Sequence, residues 1–354
     1  MSQSPKPFQI GRLPVGPGHP PVIVAEVSGN HNGSLDRALQ IVDAIAAAGA
    51  HAVKLQTYTA STMTLPLAER EFFVSDPKNP WTGRSLYDLY EEAHTPWDWH
   101  AALFERCRRH GLAAFSTPFD ATAVDFLQEL DSPCFKIASF EAVDLPLIRR
   151  AAATGKPLVI STGMATEEEI TEAVDAARSA GCTSLALLKC TSTYPADPRN
   201  SNLSTIPHMS ARFGCPVGLS DHTLGIGAAV AATALGACMI EKHVTLSRAD
   251  GGVDSAFSLE PGELAQLVRE SAVAWHALGK VQYGPTQDEL PSLQYRRSLY
   301  VVEDVERGAI LDRRNVRAIR PGLGLPPKHL DAVLGRPASK QIARGTPLSW
   351  DLVG

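Results

Sequence analysis

The chain has 354 residues, 44% of them hydrophobic, and a formal net charge of -5. That length predicts about two domains and a sizeable core. The acidic balance argues against nucleic acid or an anionic membrane surface as partner. Residues 1–12 carry no apolar leader segment, and no apolar run is long enough to span a bilayer. Six cysteines (Cys107, Cys134, Cys182, Cys190, Cys215, Cys238) form no C-x-x-C pair, and several lie inside apolar runs. This predicts buried free thiols in a reducing cytoplasm, without a disulfide framework.

From residue 21 to residue 278, apolar runs of strand length alternate with amphipathic, alanine-rich stretches of helix length. The predicted strands are 21–27, 51–56, 112–117, 133–138, 157–162, 184–190, 216–220 and 238–243. Between them fall predicted helices at 35–48, 97–110, 121–130, 145–154, 167–180, 203–213 and 226–235, and a last one at 261–278 follows the eighth strand. Gly49, Gly111, Gly155, Gly181, Gly214 and Gly236 each follow a helical stretch, where a left-handed residue is wanted. Ser34, Asp144 and Thr166 suit helix N-caps, and Glu169 stands at capping-box distance from Thr166. Eight buried strand–helix units predict a parallel sheet closed into a (β/α)8 TIM barrel. A doubly wound open sheet would carry a G-x-G-x-x-G loop after its first strand, and Ser28-Gly29-Asn30-His31-Asn32-Gly33 lacks that spacing.

Two segments break the pattern. Residues 57–96 form a long insertion after the second strand and read as a lid. Residues 280–296 read as a polar linker. It separates a barrel domain, 1–279, from a short β-rich unit, 297–354, that is too small to hold much stability alone.

Ionisable residues collect where the apolar runs end, which in a barrel is the catalytic face. Alternation puts Gly218, Ser220 and His222 on one face of the seventh strand, and Met239, Glu241 and His243 on one face of the eighth. Two imidazoles plus a carboxylate suit a divalent metal with open positions; two independently hydrogen-bonded histidines are the structural alternative. Lys54 and Lys136 sit inside apolar strands, where a lysine needs a partner. With the hydroxyls of Thr117, Ser139 and Ser161 they could clamp a phosphate or carboxylate, or else form structural ion pairs with Glu26 or Glu141. Glu26, closing the first strand, is a candidate general acid or base, or a lysine's partner.

Ala25-Glu26-Val27-Ser28-Gly29-Asn30-His31-Asn32-Gly33-Ser34, Lys54-Leu55-Gln56-Thr57, Phe115-Ser116-Thr117-Pro118-Phe119-Asp120, Gly218-Leu219-Ser220-Asp221-His222-Thr223 and Glu241-Lys242-His243 together resemble the N-acetylneuraminate (sialic acid) synthase family. The C-terminal unit, with Arg320-Pro321-Gly322-Leu323-Gly324, resembles that family's antifreeze-like (SAF) domain. The 83–90, 94–97 and 250–260 segments look most like the family's pseudaminate-forming branch.

The resemblance implies an aldol-like condensation of phosphoenolpyruvate with an open-chain amino sugar. It implies His222 and His243 as metal ligands, with Mn2+ foremost and Mg2+ or Co2+ as substitutes. It implies Lys54, Thr117, Lys136, Ser139, Ser161 and Ser220 as the phosphoenolpyruvate site, and Gln56, Glu141 and Asp254 as residues facing the sugar. Tyr194 and Ser192 correspond to positions near both substrates, although Ser192 departs from the asparagine usual in sialate synthases. Arg320 would reach the sugar's N-acetyl group from a partner subunit in a domain-swapped homodimer. Glu26 would handle protons. Phe140 stands where sialate synthases carry glycine, and the added apolar surface suits a 6-deoxy sugar: 2,4-diacetamido-2,4,6-trideoxy-L-altrose, the precursor of pseudaminate. The competing expectations are a sibling synthase for neuraminate or legionaminate, or a non-catalytic carbohydrate- or ice-binding protein suggested by the antifreeze-like unit.

Overall fold

The protein is described here by a computed structural model, covering residues 5–77, 79 and 81–354. The first four residues of the N-terminal stretch, and Lys78 and Pro80 of the insertion, lie outside the described residues. The chain divides into two compact units, Met1–Gly279 and Lys280–Gly354.

The first unit opens with a small hairpin, β1 (Phe8–Ile10) and β2 (Leu13–Val15). Eight parallel strands then close a barrel: β3 (Val22–Glu26), β4 (Ala52–Thr57), β5 (Ala113–Pro118), β6 (Phe135–Ile137), β7 (Leu158–Ser161), β8 (Leu185–Cys190), β9 (Val217–Ser220) and β10 (Met239–His243), with β10 pairing back to β3. The TIM barrel read from the sequence is therefore the fold. Around it run α1 (Leu35–Ala47), α4 (His100–Arg109), α5 (Ala121–Glu129), α6 (Leu145–Ala152), α7 (Glu167–Ser179), α8 (Thr205–Phe213), α9 (Gly227–Ala234) and α10 (Pro261–Leu278), while α2 (Ala60–Met63) and α3 (Leu86–Ala93) belong to the insertion. All six predicted helix-stop glycines have positive φ. Ser34, Asp144 and Thr166 cap α1, α6 and α7, and the Thr166–Glu169 capping box is formed. Among the described residues, no helix is long and apolar enough to cross a membrane.

Alternation along the strands divides the core in two. Outward residues such as Ile23, Ala25, Val53, Leu55, Ile137 and Leu187 pack under the helices. Inward residues Val22, Val24, Ala52, Phe115, Val159, Leu188 and Met239 fill the barrel, and Ile10 and Val15 of the hairpin pack on them. Gly218 belongs to this inner packing: a Cβ there would stand 2.4 Å from the Met239 carbonyl oxygen and 2.7 Å from Leu188 Cδ2. The inward positions turn polar only toward the C-terminal ends of the strands, so the apolar filling becomes the floor of a charged mouth.

The second unit contains the antiparallel pair β11 (Ser298–Val301) and β12 (Val316–Ile319), followed by the short α11 (Leu330–Val333). It has a core of its own, in which Leu299, Val301, Leu311, Val316, Val333 and Leu348 are buried together.

Candidate active site

Strand register builds the centre of the mouth. Glu26 lies beside Lys54 on one side and His243 on the other, and Glu241 lies beside Ser220. All five side chains are buried. Lys54 pairs with Glu26 and stands 3.6 Å from Glu241 Oε1. Lys136 Nζ reaches the same Glu241 oxygen from across the barrel at 3.4 Å. Ser220 Oγ donates to it at 3.3 Å, and Lys54 Nζ donates to Thr117 Oγ1 at 3.2 Å.

The two lysines hold Glu241. Of the two carboxylates named as lysine partners, Glu26 pairs with Lys54, and Glu141 forms no ion pair with either lysine among the described residues. The strand before it ends at Ile137, and a turn closed by Glu141 N–H on the Ala138 carbonyl carries it away from them.

Burial raises the Glu26 carboxyl above its usual range, and the charge of Glu241 adds to this against the pull of Lys54. Burial would raise Glu241 too, but Lys136 and Lys54 outweigh it and hold Glu241 below the usual range. Two adjacent carboxyls are thus driven apart, one toward the acid and one toward the anion, which is the pattern of an acid–base assignment. Burial lowers Lys136 despite Glu241. For Lys54 the two carboxylates more than offset burial, and its ammonium is favoured.

Several polar atoms in this mouth have no hydrogen-bond partner among the described residues: Glu26 Oε1, Ser161 Oγ, Glu141 Oε2 and Glu241 Oε2. Buried polar groups are rarely left unpaired, and water or a ligand completes them. Ser139 Oγ accepts from Gly163 N–H at 3.1 Å. Gly163 permits this approach, since a Cβ there would lie 2.8 Å from Ser139 Oγ and closer still to Ser192 Oγ.

The histidine rings face each other with centroids 5.4 Å apart. His222 Nδ1 stands 3.0 Å from the Thr191 carbonyl oxygen, which can only accept, so this nitrogen carries a proton; burial would lower this imidazole, but Cys190 and that carbonyl outweigh it and raise it above its ordinary range. Burial pushes His243 well below the ordinary imidazole range, helped by the nearby charges of His222 and the lysines, and keeps it neutral. Among the described residues no three His, Cys, Asp or Glu side chains gather as a complete metal cage. An imidazole pair still fits a divalent ion that takes its other ligands from substrate and water.

Aromatic rings wall this corner. Tyr194 packs on His222 at 4.4 Å and on Phe257 at 5.1 Å. The insertion delivers Trp81, whose ring lies 5.8 Å from Tyr194 and whose Nε1–H donates to the Val253 carbonyl at 3.0 Å. Asp254 follows on the same loop, and Gln56 is half-buried beside Thr117 in the register. Burial lifts Glu141 to about 7. Phe140 is 58% exposed, so the insertion does not bury it. Arg320 is exposed and belongs to the second unit.

Sequence reading overlooked two residues of this mouth. Cys190 has its Sγ 3.9 Å from His222 Nδ1. Burial would raise its thiol, but contacts with His222, Ser139 and Ser192 draw it down to about 7. The other is Ser28, which contacts His243 Nδ1 at 3.2 Å and Asp254 at 2.5 Å. A cysteine closing an apolar strand run was the available signal for the first. For Ser28 the signal was a hydroxyl two residues beyond a strand-end carboxylate.

Residues 41–283 match the NeuB family, and residues 296–354 match the SAF domain. The chain is 42% identical over 333 residues to the pseudaminic acid synthase of Helicobacter pylori, covering 94% of this chain and 97% of that one. It is 34% identical over 334 residues to the N,N'-diacetyllegionaminic acid synthase of Legionella pneumophila, covering 93% of each. The solved N-acetylneuraminic acid (sialic acid) synthetase from Leptospira borgpetersenii superposes with a TM-score of 0.73 at 31% identity, over 84% of this chain and 98% of that one.

Proposed function

The chain belongs to the NeuB family, and from that premise we propose that it condenses phosphoenolpyruvate with 2,4-diacetamido-2,4,6-trideoxy-L-altrose to give pseudaminic acid and inorganic phosphate. One observation carries the reading: a buried two-lysine, two-carboxylate cluster with orphaned oxygens stands beside a pair of facing imidazoles at the barrel mouth. Identity of 42% to a pseudaminic acid synthase, against 34% to a legionaminate enzyme, supports this sugar over its sibling.

In this mechanism Lys54 and Lys136 hold the phosphate and carboxylate of phosphoenolpyruvate through charge-assisted bonds, and Thr117, Ser139, Ser161 and Ser220 supply hydroxyls. His222 and His243 would hold the metal, Mn2+ foremost with Mg2+ or Co2+ as substitutes; bound there, it supplies Lewis acidity toward the sugar aldehyde. Gln56, Glu141, Tyr194 and Asp254 orient the sugar. C3 of phosphoenolpyruvate attacks the aldehyde carbon. Phosphoenolpyruvate's negative charges draw Lys54 from Glu26 and add to the burial that raises this carboxyl, so Glu26 takes up a proton on substrate binding and gives it to the oxygen that becomes a hydroxyl. Water then adds at C2 and the Glu26 carboxylate takes one of its protons; the C2–O bond to phosphate breaks as the new C2 hydroxyl becomes the keto group, its proton leaving with the phosphate.

Residues 1–279 would be the catalytic domain, 280–296 the linker and 297–354 the SAF domain. The working form would be a domain-swapped homodimer in which Arg320 of the partner subunit meets the N-acetyl group. A cytoplasmic site of action suits the six free, buried thiols. A purely carbohydrate-binding protein has no need of both the lysine cluster and the histidine pair.

The test is phosphate release from phosphoenolpyruvate in the presence of Mn2+ and this sugar. Turnover that chelation abolishes and Mn2+ restores supports the proposal. Full activity in metal-stripped enzyme would remove the metal from it, and no release with any amino sugar would overturn it.

A further inference from the structure

Ser28 lies two residues past the end of β3 with φ of 43°. Glycine enters this left-handed region freely, and a side-chain-bearing residue does so at a cost. A serine retained in such a conformation points to a use for its hydroxyl. Ser28 is 1% exposed, and its Oγ has two side-chain contacts. It donates to Asp254 Oδ2 at 2.5 Å and stands 3.2 Å from His243 Nδ1. Asp254 Oδ2 is itself 3.9 Å from that nitrogen, beyond direct hydrogen-bond range.

The direction of each bond follows from the inventory of protons. Burial raises the Asp254 carboxyl, with the Ser28 hydroxyl and the Gly29 N–H opposing it; Ser28 Oγ donates to Asp254 Oδ2, which commits the single hydroxyl proton to Asp254. Toward His243 the same oxygen then acts as acceptor, and Nδ1 carries the ring proton. His243 is left with its lone pair on Nε2, and on His222 the Thr191 carbonyl likewise takes the Nδ1 proton.

We infer that Ser28 is a positioning residue that couples Asp254 to His243 and fixes which ring nitrogen, in which orientation, His243 presents to the metal. The inference rests on the metal reading of the histidine pair. It also has a consequence for the sugar: a ligand that engages Asp254 acts on the same relay, so sugar and metal should each alter the other's affinity.

The test uses full-length, metal-stripped protein without phosphoenolpyruvate or sugar. Mn2+ is titrated while free Mn2+ is read by electron paramagnetic resonance, for wild type, Ser28→Ala, Ser28→Gly and His243→Ala. Thermal melts of the metal-free proteins run in parallel. Removing a partner of this kind lowers metal affinity roughly ten- to a hundred-fold. That loss is expected in both Ser28 variants. Ser28→Gly, which also relieves the backbone, should melt no lower than wild type. A merely structural serine would give the opposite pattern, a lower melt with wild-type Mn2+ affinity, and that result overturns the inference. If wild type and His243→Ala differ in Mn2+ binding but the Ser28 variants match wild type, only the role of Ser28 falls. If wild type binds no Mn2+, the metal reading falls and takes this inference with it.

Discussion

The Lys136–Glu241 contact allows a double-mutant cycle with a predictable sign. Glu241 Oε1 lies 3.4 Å from Lys136 Nζ and 3.6 Å from Lys54 Nζ, with all three side chains buried. At an effective dielectric near 20, each attraction is on the order of 4–5 kcal/mol before desolvation is counted. Glu241→Gln removes both attractions and leaves two buried ammonium groups facing Glu26 alone. Breaking a buried pair in this way costs about 3–5 kcal/mol. Adding Lys136→Met removes the surplus charge and leaves Lys54 with Glu26 as a neutral pair. The double variant should therefore be more stable than Glu241→Gln alone, by about 1–3 kcal/mol. Urea denaturation of the four proteins without ligand measures this. Phosphoenolpyruvate supplies the missing negative charge, so it should raise the melting temperature of Glu241→Gln more than that of wild type, and hardly move the double variant. Additive costs, or a Glu241→Gln cost below about 1 kcal/mol, would refute the charge argument.

Three further outcomes follow from the site. If the proposed domain-swapped dimer is the working form, Arg320→Ala and His222→Ala chains should each turn over poorly alone, and mixed and reannealed chains should recover activity; a fully active monomer in sedimentation would sink the shared-site proposal. Glu141, lifted to about 7 by burial, binds its proton more tightly folded than unfolded. Its stabilising contribution is therefore complete below about 4.5 and is lost as pH rises through about 7. Glu141→Gln should flatten that part of a stability–pH curve, and an unchanged slope would show that the group titrates normally. At Phe140, apolar contact with a sugar methyl is worth about 0.8 kcal/mol, and an unpartnered hydroxyl there costs about 1–3 kcal/mol. Wild type should thus favour the 6-deoxy sugar over N-acetylmannosamine by roughly ten- to several-hundred-fold in kcat/KM, and Phe140→Gly should shrink that ratio; an unchanged ratio would mean that Phe140 does not meet the sugar.

Much of the barrel was legible because local rules suffice for it. Alternation separated the inward Ser220, Glu241 and His243 from outward Leu219, Ile240 and Lys242, and glycines with positive φ marked the helix ends. Alternation gives a face but not a partner across the barrel. Lys136 and Glu241 are 105 positions apart, and nothing local says that they meet. Of the two carboxylates offered as lysine partners, Glu26 closes its strand beside Lys54, whereas β6 is only three residues long and the chain turns before reaching Glu141. Ser28 was hidden for another reason: its role depends on a left-handed backbone and on a loop 226 residues away. The insertion was recognisable as an interruption, but the packing of Trp81 on Tyr194 comes from tertiary contacts that its composition does not encode.

The central claim is the identity of the sugar, and one competition measures it. The enzyme is given limiting phosphoenolpyruvate, Mn2+ and an equimolar mixture of 2,4-diacetamido-2,4,6-trideoxy-L-altrose, the legionaminate precursor and N-acetylmannosamine, and the nine-carbon keto acids formed are separated and counted against phosphate released. The account predicts that pseudaminic acid makes up nearly all of the product, one equivalent per phosphate. A mixture dominated by neuraminate or legionaminate would contradict it.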